Sequence, residues 1–147
     1  WPKGGATMVQ IDLTARVADE ADIRNVIARL AHLADDGDLD EYVTLFTEDG
    51  VWERPGETIR GRRDLLAGAQ ERRRSGLQGP GTNTHHVNTT LWVQLEGPDD
   101  ASAQSYYLFV GDTDTAAPTI RSIGRYLDTF RRTPEGWKFA SRKIVPG

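Results

Sequence analysis

Three histidines, two of them adjacent, are the only imidazoles that could move a proton in this 147-residue chain. His85 and His86 stand at the start of a long run of β-forming residues, and His32 lies near the end of the first helical segment. Asp35 closes that segment. If the helix packs across a sheet, Asp35 and His86 can meet at one end of it. A carboxylate beside an imidazole orients the ring and fixes which nitrogen carries the proton. The other nitrogen is then free to take a proton from a carbon or hydroxyl. The same residues admit plainer readings. Asp35 serves equally well to end a helix, and His86 to bond a loop from a strand. His32 and Asp35, three apart on a helix, are spaced to pair locally. His85 and His86 point to opposite faces of a regular strand. A shared metal would therefore need a bulge, a third ligand such as Asp35 and an open position.

Two arginines add a possible anion site. Arg142, within Trp137-Lys138-Phe139-Ala140-Ser141-Arg142, would bind a carboxylate, a phenolate or a developing oxyanion if it faced a pocket. The alternative is an edge-strand charge facing water. Arg125, in Gly124-Arg125-Tyr126, carries the same ambiguity, and only one of the two need point inward. Trp52, Trp92, Tyr106, Tyr107, Tyr126, Phe130 and Phe139 are either pocket lining or ordinary core. Alternation sends Tyr106 and Tyr107 to opposite faces. Gly79-Pro80-Gly81 is too short for a phosphate loop and lacks strand-to-helix context. No Gly-x-Ser-x-Gly elbow occurs.

The elements that must position these groups are legible in the hydrophobic periods. Residues 14–34 read as one long helix, with Val17, Ala21, Ile23, Val26, Ile27, Leu30 and Leu33 at helical spacing. It should stop around Asp35-Asp36-Gly37, where glycine suits a left-handed terminus. Asp38 caps a short second helix, Glu41 completes a capping box, and Leu39, Tyr42, Val43, Leu45 and Phe46 form its buried side. Residues 51–54 and 58–60 read as a hairpin around Pro55-Gly56, after a turn at Asp49-Gly50. A third helix covers 62–74, with Leu65, Leu66 and Ala69 inward, and ends in a solvated Arg72-Arg73-Arg74 triplet. After a Gly/Pro-rich loop, four strands follow at 85–95, 101–110, 119–132 and 137–144. Turns at 97–100 and 133–136 make consecutive hairpins. The prediction is an α+β domain: a curved, mainly antiparallel sheet wrapped around the long N-terminal helix as a cone-shaped barrel with an apolar pocket.

Composition narrows the function classes. The length favours one domain, taken here as residues 8–147. Trp1 to Thr7 reads as a tag remnant and is left out of the fold reasoning. There is no cysteine, which removes disulfides and thiolate chemistry and is compatible with a reducing cytoplasm, the expected location. No apolar run approaches the ~18 residues of a membrane span, and no secretory signal is visible. A net charge of −4 does not suggest nucleic-acid binding. Neither membrane nor nucleic acid is expected as a partner.

Several segments resemble one family. Ala21-Asp22-Ile23-Arg24, Asp35-Asp36-Gly37-Asp38-Leu39-Asp40 and Leu45-Phe46-Thr47-Glu48-Asp49-Gly50-Val51-Trp52 resemble the opening of SnoaL-like proteins, of the nuclear transport factor 2-like, cystatin-like superfamily. Gly61-Arg62-Arg63-Asp64, Thr84-His85-His86 and the segment from Gly136 to Arg142 follow in the expected order. This superfold hosts many activities. The subgroup it resembles most includes scytalone dehydratase, the bile-acid dehydratase and hexachlorocyclohexane dehydrochlorinase. That likeness implies a lyase or isomerase without metal or organic cofactor, with an Asp–His dyad on Asp35 and His86 and an assisting arginine at Arg142. It implies a small hydrophobic cyclic substrate such as a steroid, polyketide or aromatic compound. Leu30, Tyr42, Trp52, Tyr107 and Arg125 are the expected substrate contacts. One departure stands out: the subgroup's tyrosine or lysine five residues before the Asp is Leu30 here. Tyr42, Tyr107 or Arg142 then replaces that donor, or the reaction needs none. Self-association as a dimer or trimer is expected, because the resemblance leaves a broad strand surface uncovered. The alternative is a non-catalytic ligand-binding or assembly module resembling a ring-hydroxylating dioxygenase small subunit.

Overall fold

The computed structural model describes residues 4–147, with side chains from Leu13 onward. Trp1, Pro2 and Lys3, read above as part of a tag remnant, lie outside the described residues. The first helix, α1 (Gly4–Asp36), begins ten residues before the apolar spacing predicts. Its buried stripe is Ile23, Ile27, Leu30 and Leu33, none more than 2% exposed. Burying each such side chain is worth ~1.5–3 kcal/mol. This packing, more than helical propensity, holds the helix in place. Val17 is 67% exposed and does not join the core. The reason is geometric. Asp19 already meets Arg132 and Trp137 beside the β5–β6 turn described below, so the residues before it run past the sheet.

The short helix α2 (Leu39–Thr44) is capped by Asp38, whose carboxylate accepts from the backbone N–H of Asp40 and Glu41. The expected return half of the capping box does not form, because Glu41 pairs with Arg29 of α1 instead. Phe46, expected on this helix, opens strand β1 (Phe46–Arg54). The Asp49-Gly50 signal marks a bulge inside that strand rather than a turn before it. Phe46 pairs with Phe139, yet Val51 already pairs with Ser141. A side chain at Gly50 would strike Phe46, since its Cβ would lie 2.9 Å from that of Phe46. The carbonyl of Phe46 is taken by the guanidinium of Arg62 at 2.7 and 3.0 Å.

Strand β2 (Glu57–Arg60) and helix α3 (Arg62–Arg74) follow. The long strands are β3 (His85–Leu95), β4 (Asp100–Gly111), β5 (Thr119–Thr133) and β6 (Gly136–Pro146). The six strands lie in the order β2-β1-β6-β5-β4-β3, antiparallel except for β1 beside β6. The α+β class predicted from the sequence is the one observed. Phe46, Phe130 and Phe139, each no more than 2% exposed, form the centre of the core, with Phe139 between the other two rings at 5.2 and 4.6 Å. Among the described residues no helix is long and apolar enough to cross a membrane.

The Arg72-Arg73-Arg74 triplet departs from the expected solvated end. Arg73 donates through Nη2 to the carbonyls of Leu33 and Gly37 at 2.8 and 2.7 Å. It therefore supplies a cation to the negative, carbonyl-bearing end of α1. That end carries Asp35, so one arginine steadies the helix terminus from which the carboxylate projects.

Candidate active site

Asp35 and His86 meet. The Nδ1 of His86 lies 2.6 Å from Asp35 Oδ1, and the backbone N–H of His86 donates to Oδ2 at 3.0 Å. A ring nitrogen this close to a carboxylate oxygen carries the proton and donates it. In the neutral ring, Nε2 then holds the lone pair. Phe109 packs against the imidazole at 4.8 Å between ring centres and limits its rotation. Both side chains are largely buried, at 11% and 17% exposure. His85 also reaches the carboxylate, its Nδ1 3.6 Å from Oδ2, but it is mostly exposed. The two adjacent histidines thus approach the same acid. His32 is exposed, and its local pairing with Asp35 is not observed. Among the described residues, no group of three or more His, Cys, Asp or Glu side chains could hold a metal ion.

His86 lines an open-mouthed cavity of about 270 Å³ between α1, α2, the α3–β3 connection and the inner face of the sheet. Strand register explains its walls. Asn88 and Tyr107 are cross-strand partners, as are His86 and Phe109, so alternate residues of β3 and β4 face inward together. Gly124 lies beside Tyr107 on β5, where a Cβ would come within 2.8 Å of the tyrosine ring. Its absence lets Tyr107 stack on Tyr126 at 4.6 Å. Tyr107 also bonds Ser122 across 3.3 Å. Burial pushes the Tyr126 hydroxyl well above the ordinary phenol value, so it stays neutral.

Deeper in the cavity, Arg142 is paired in register with Trp52 on one side and Asp128 on the other. Arg142 Nε and Nη2 each donate to Asp128 at 2.8 Å, and the side chains are 5% and 0% exposed. The guanidinium also lies 3.8 Å from the Tyr126 ring centre. Burial raises the Asp128 carboxyl against the downward pull of Arg142. Two of the three arginine nitrogens are therefore committed to a carboxylate that the sequence reading missed. The signal was present: Asp128 sits between Tyr126 and Phe130 on an otherwise inward face.

Leu30, Tyr42, Trp52 and Tyr107 also line the cavity. Arg125 does not. Strand alternation places it on the outer face, exposed, over the Tyr106 ring at 5.8 Å. Trp92 and Tyr106 share that outer face, while Phe130 and Phe139 are core. Asn88, Gln78, Ser122 and Arg72 line the cavity without having been expected there. Asn88 is two residues from His86, a spacing that alternation alone could have flagged. Its amide oxygen and nitrogen are both buried without a partner.

The profile of the SnoaL-like domain matches residues 15–143. The chain belongs to the SnoaL-like family. An NTF2-like protein with a cystatin-like fold from Novosphingobium aromaticivorans is similar at 26% identity and a TM-score of 0.83, over 99% of this chain and 92% of that one. A protein from Catenulispora acidiphila, solved in complex with S-DNPA, is 25% identical with a TM-score of 0.74, covering 88% and 94%. A candidate scytalone dehydratase from N. aromaticivorans shares the fold at 20% identity, with a TM-score of 0.74 over 92% and 88%. No curated protein matches the sequence. The family assignment agrees with the sheet, the long helix and the cavity seen here.

Proposed function

We propose that this SnoaL-like protein is a cofactor-independent lyase or isomerase that removes a proton from a small, largely apolar cyclic substrate. The contact between Asp35 and His86, at 2.6 Å on the wall of an apolar cavity, carries the reading. His86 Nε2 takes the proton. Asp35 holds the ring in the tautomer that leaves this nitrogen free and stabilises the imidazolium that forms. Arg142 Nη1, which makes no hydrogen bond among the described residues, is the donor for negative charge developing on the substrate. Asn88 offers its unpaired amide to a substrate oxygen. Leu30 cannot polarise a carbonyl, so these donors replace the tyrosine or lysine of the related dehydratases. The relative solved in complex with S-DNPA supports a small-molecule ligand for this fold.

Exchange of substrate hydrogen for solvent deuterium tests proton removal without a known product. A panel of cyclic ketones and β-hydroxy ketones, followed by NMR, identifies an exchanging compound. His86→Ala and Asp35→Asn should each slow its exchange by ~10²–10⁴-fold with an unchanged circular dichroism spectrum. Exchange at the wild-type rate in both purified variants overturns the dyad.

Self-association is the second part of the proposal. Val87, Trp92, Tyr106, Ile120 and Ile123 are exposed on the long strands, at 38 to 63%. Covering them with a second or third copy would bury this face. Sedimentation velocity should show a dimer or trimer; a monomer at tens of micromolar counts against it.

A further inference from the structure

The cavity has a charged rim that the proton-transfer reading does not use. Arg54, Pro55 and Leu77 line the cavity and are exposed, which marks them as its mouth; Arg72 and Gln78 stand with them. Three arginines line the cavity in all, and they differ in their partners. Arg142 is neutralised by Asp128 at 2.8 Å. Arg54 is paired with Glu57 at 2.6 Å. Arg72 has no carboxylate partner among the described residues. Its guanidinium lies 4.6 Å from the centre of the Trp52 ring, which orients the planar group and leaves its N–H edge unspent.

Gln78 is the second observation. It is 8% exposed, lines the same cavity, and its side chain makes no hydrogen bond among the described residues. The chain brings it to Arg72 by a defined turn. Gly76, at φ 75°, ends α3 in a left-handed conformation. The Leu77 N–H then returns to the Arg72 carbonyl at 3.1 Å, and the Gly76 N–H to that of Arg73 at 3.0 Å. Its amide atoms are not sealed off from solvent, unlike those of Asn88, so they stay free to bond a ligand that enters by the mouth.

We propose that Arg72 and Gln78 bind the carboxylate of the substrate, so that the cavity takes a cyclic carboxylic acid with its ring body on the apolar walls and its charge at the rim. A guanidinium edge plus one amide N–H matches the two oxygens of a carboxylate. Size sets the body. An apolar cavity of ~150 Å³ holds a benzene ring, so about 270 Å³ takes one or two rings. The proposal rests on the reading of this cavity as the substrate site and specifies the substrate's class.

The test is calorimetric and needs no turnover. The probes are 1-naphthylacetate, its primary amide and its methyl ester. Wild-type protein should bind the acid about tenfold more tightly than either neutral probe at low salt, the range of a charge-assisted hydrogen bond. The preference should shrink in added salt. Arg72→Gln should bring it close to parity, Arg72→Lys should keep part of it, and Gln78→Leu should lower it about threefold. Arg125→Ala, on the outer face, should bind the acid with the wild-type preference, and because the readout is binding rather than deuterium exchange, failure of this site is distinct from failure of the dyad. Equal binding of acid and amide by the wild type, no binding of any probe, or a tenfold preference surviving in Arg72→Gln overturns the proposal.

Discussion

Two acid–base pairs each present their basic member to one cavity, and they are built for opposite ends. Asp128 and Arg142 close on each other with two parallel hydrogen bonds and almost no exposure. Asp35 and His86 make one side-chain contact, and the imidazole keeps a nitrogen in reserve on the cavity wall. The first pair spends all but one nitrogen, Arg142 Nη1, on itself; the second leaves its base unspent. A buried ion pair costs desolvation on both sides, and removing one partner strands the other charge. A dyad at a cavity wall carries less of that cost, since water or ligand reaches its open side. The difference teaches where to look for the base: at the pair whose proton-accepting atom is unspent, not the one with the strongest contact.

This contrast can be broken most forcefully at the saturated pair. Asp128→Ala should cost ~3–5 kcal/mol in urea denaturation, because Arg142 is then buried uncompensated. The double variant Asp128→Leu/Arg142→Met should recover most of that loss. His86→Ala should cost no more than ~1.5 kcal/mol, the scale of one partly exposed hydrogen bond; equal losses at the two sites would erase the distinction. Arg73→Ala sharpens the comparison from the side of the dyad. It leaves the α1 terminus without its cation, with an expected cost of ~2 kcal/mol and slower deuterium exchange as Asp35 loosens.

A smaller effect is expected at Asp19, which ties α1 to the far end of the sheet. The Arg132 guanidinium, and after it the Trp137 indole, hold this carboxyl below its ordinary range despite partial burial. A carboxylate lowered on folding adds stability that is present above its unfolded pKa of ~3.9 and is lost as pH falls through the lower folded value. Wild-type stability should therefore drop between about pH 5 and pH 2 by ~1 kcal/mol more than that of Asp19→Asn, a size set by its partly exposed partner. The smallest effect belongs to Arg125→Ala on the outer face, which should leave stability within ~0.5 kcal/mol and exchange unchanged. A loss of exchange there would mean that the outer face takes part in the site.

Much of the architecture was readable in hydrophobic period and turn chemistry. The strand and helix limits of the C-terminal half follow from β-branched and aromatic runs between proline- and glycine-rich turns. Where the reading failed, a long-range partner intervened. Asp49-Gly50 looks like a turn, but the demands of β6 on Phe46 convert it into a bulge. Glu41 looks like half a capping box until Arg29 claims it. Arg73 looks solvated until the end of α1 arrives beneath it. Val17 fits the apolar stripe, yet nothing of the sheet lies under it.

The candidate site divides in the same way. Residue type and spacing put Asp35, His86 and Arg142 among the candidates, because few groups in this chain can move a proton or hold an anion, and the family resemblance chose them over alternatives such as His32 and Arg125. Only the tertiary structure could decide that Arg125 faces outward, that Asp128 occupies Arg142, and that Asn88, Gln78 and Arg72 line the cavity. The sequence by itself determined the elements and their inventory of chemical groups, since period, propensity and turn chemistry act over a few residues. The cross-strand register and the landing point of the helix decided which groups meet, since those contacts join positions 51 residues apart for Asp35 and His86 and depend on the packing of the whole core.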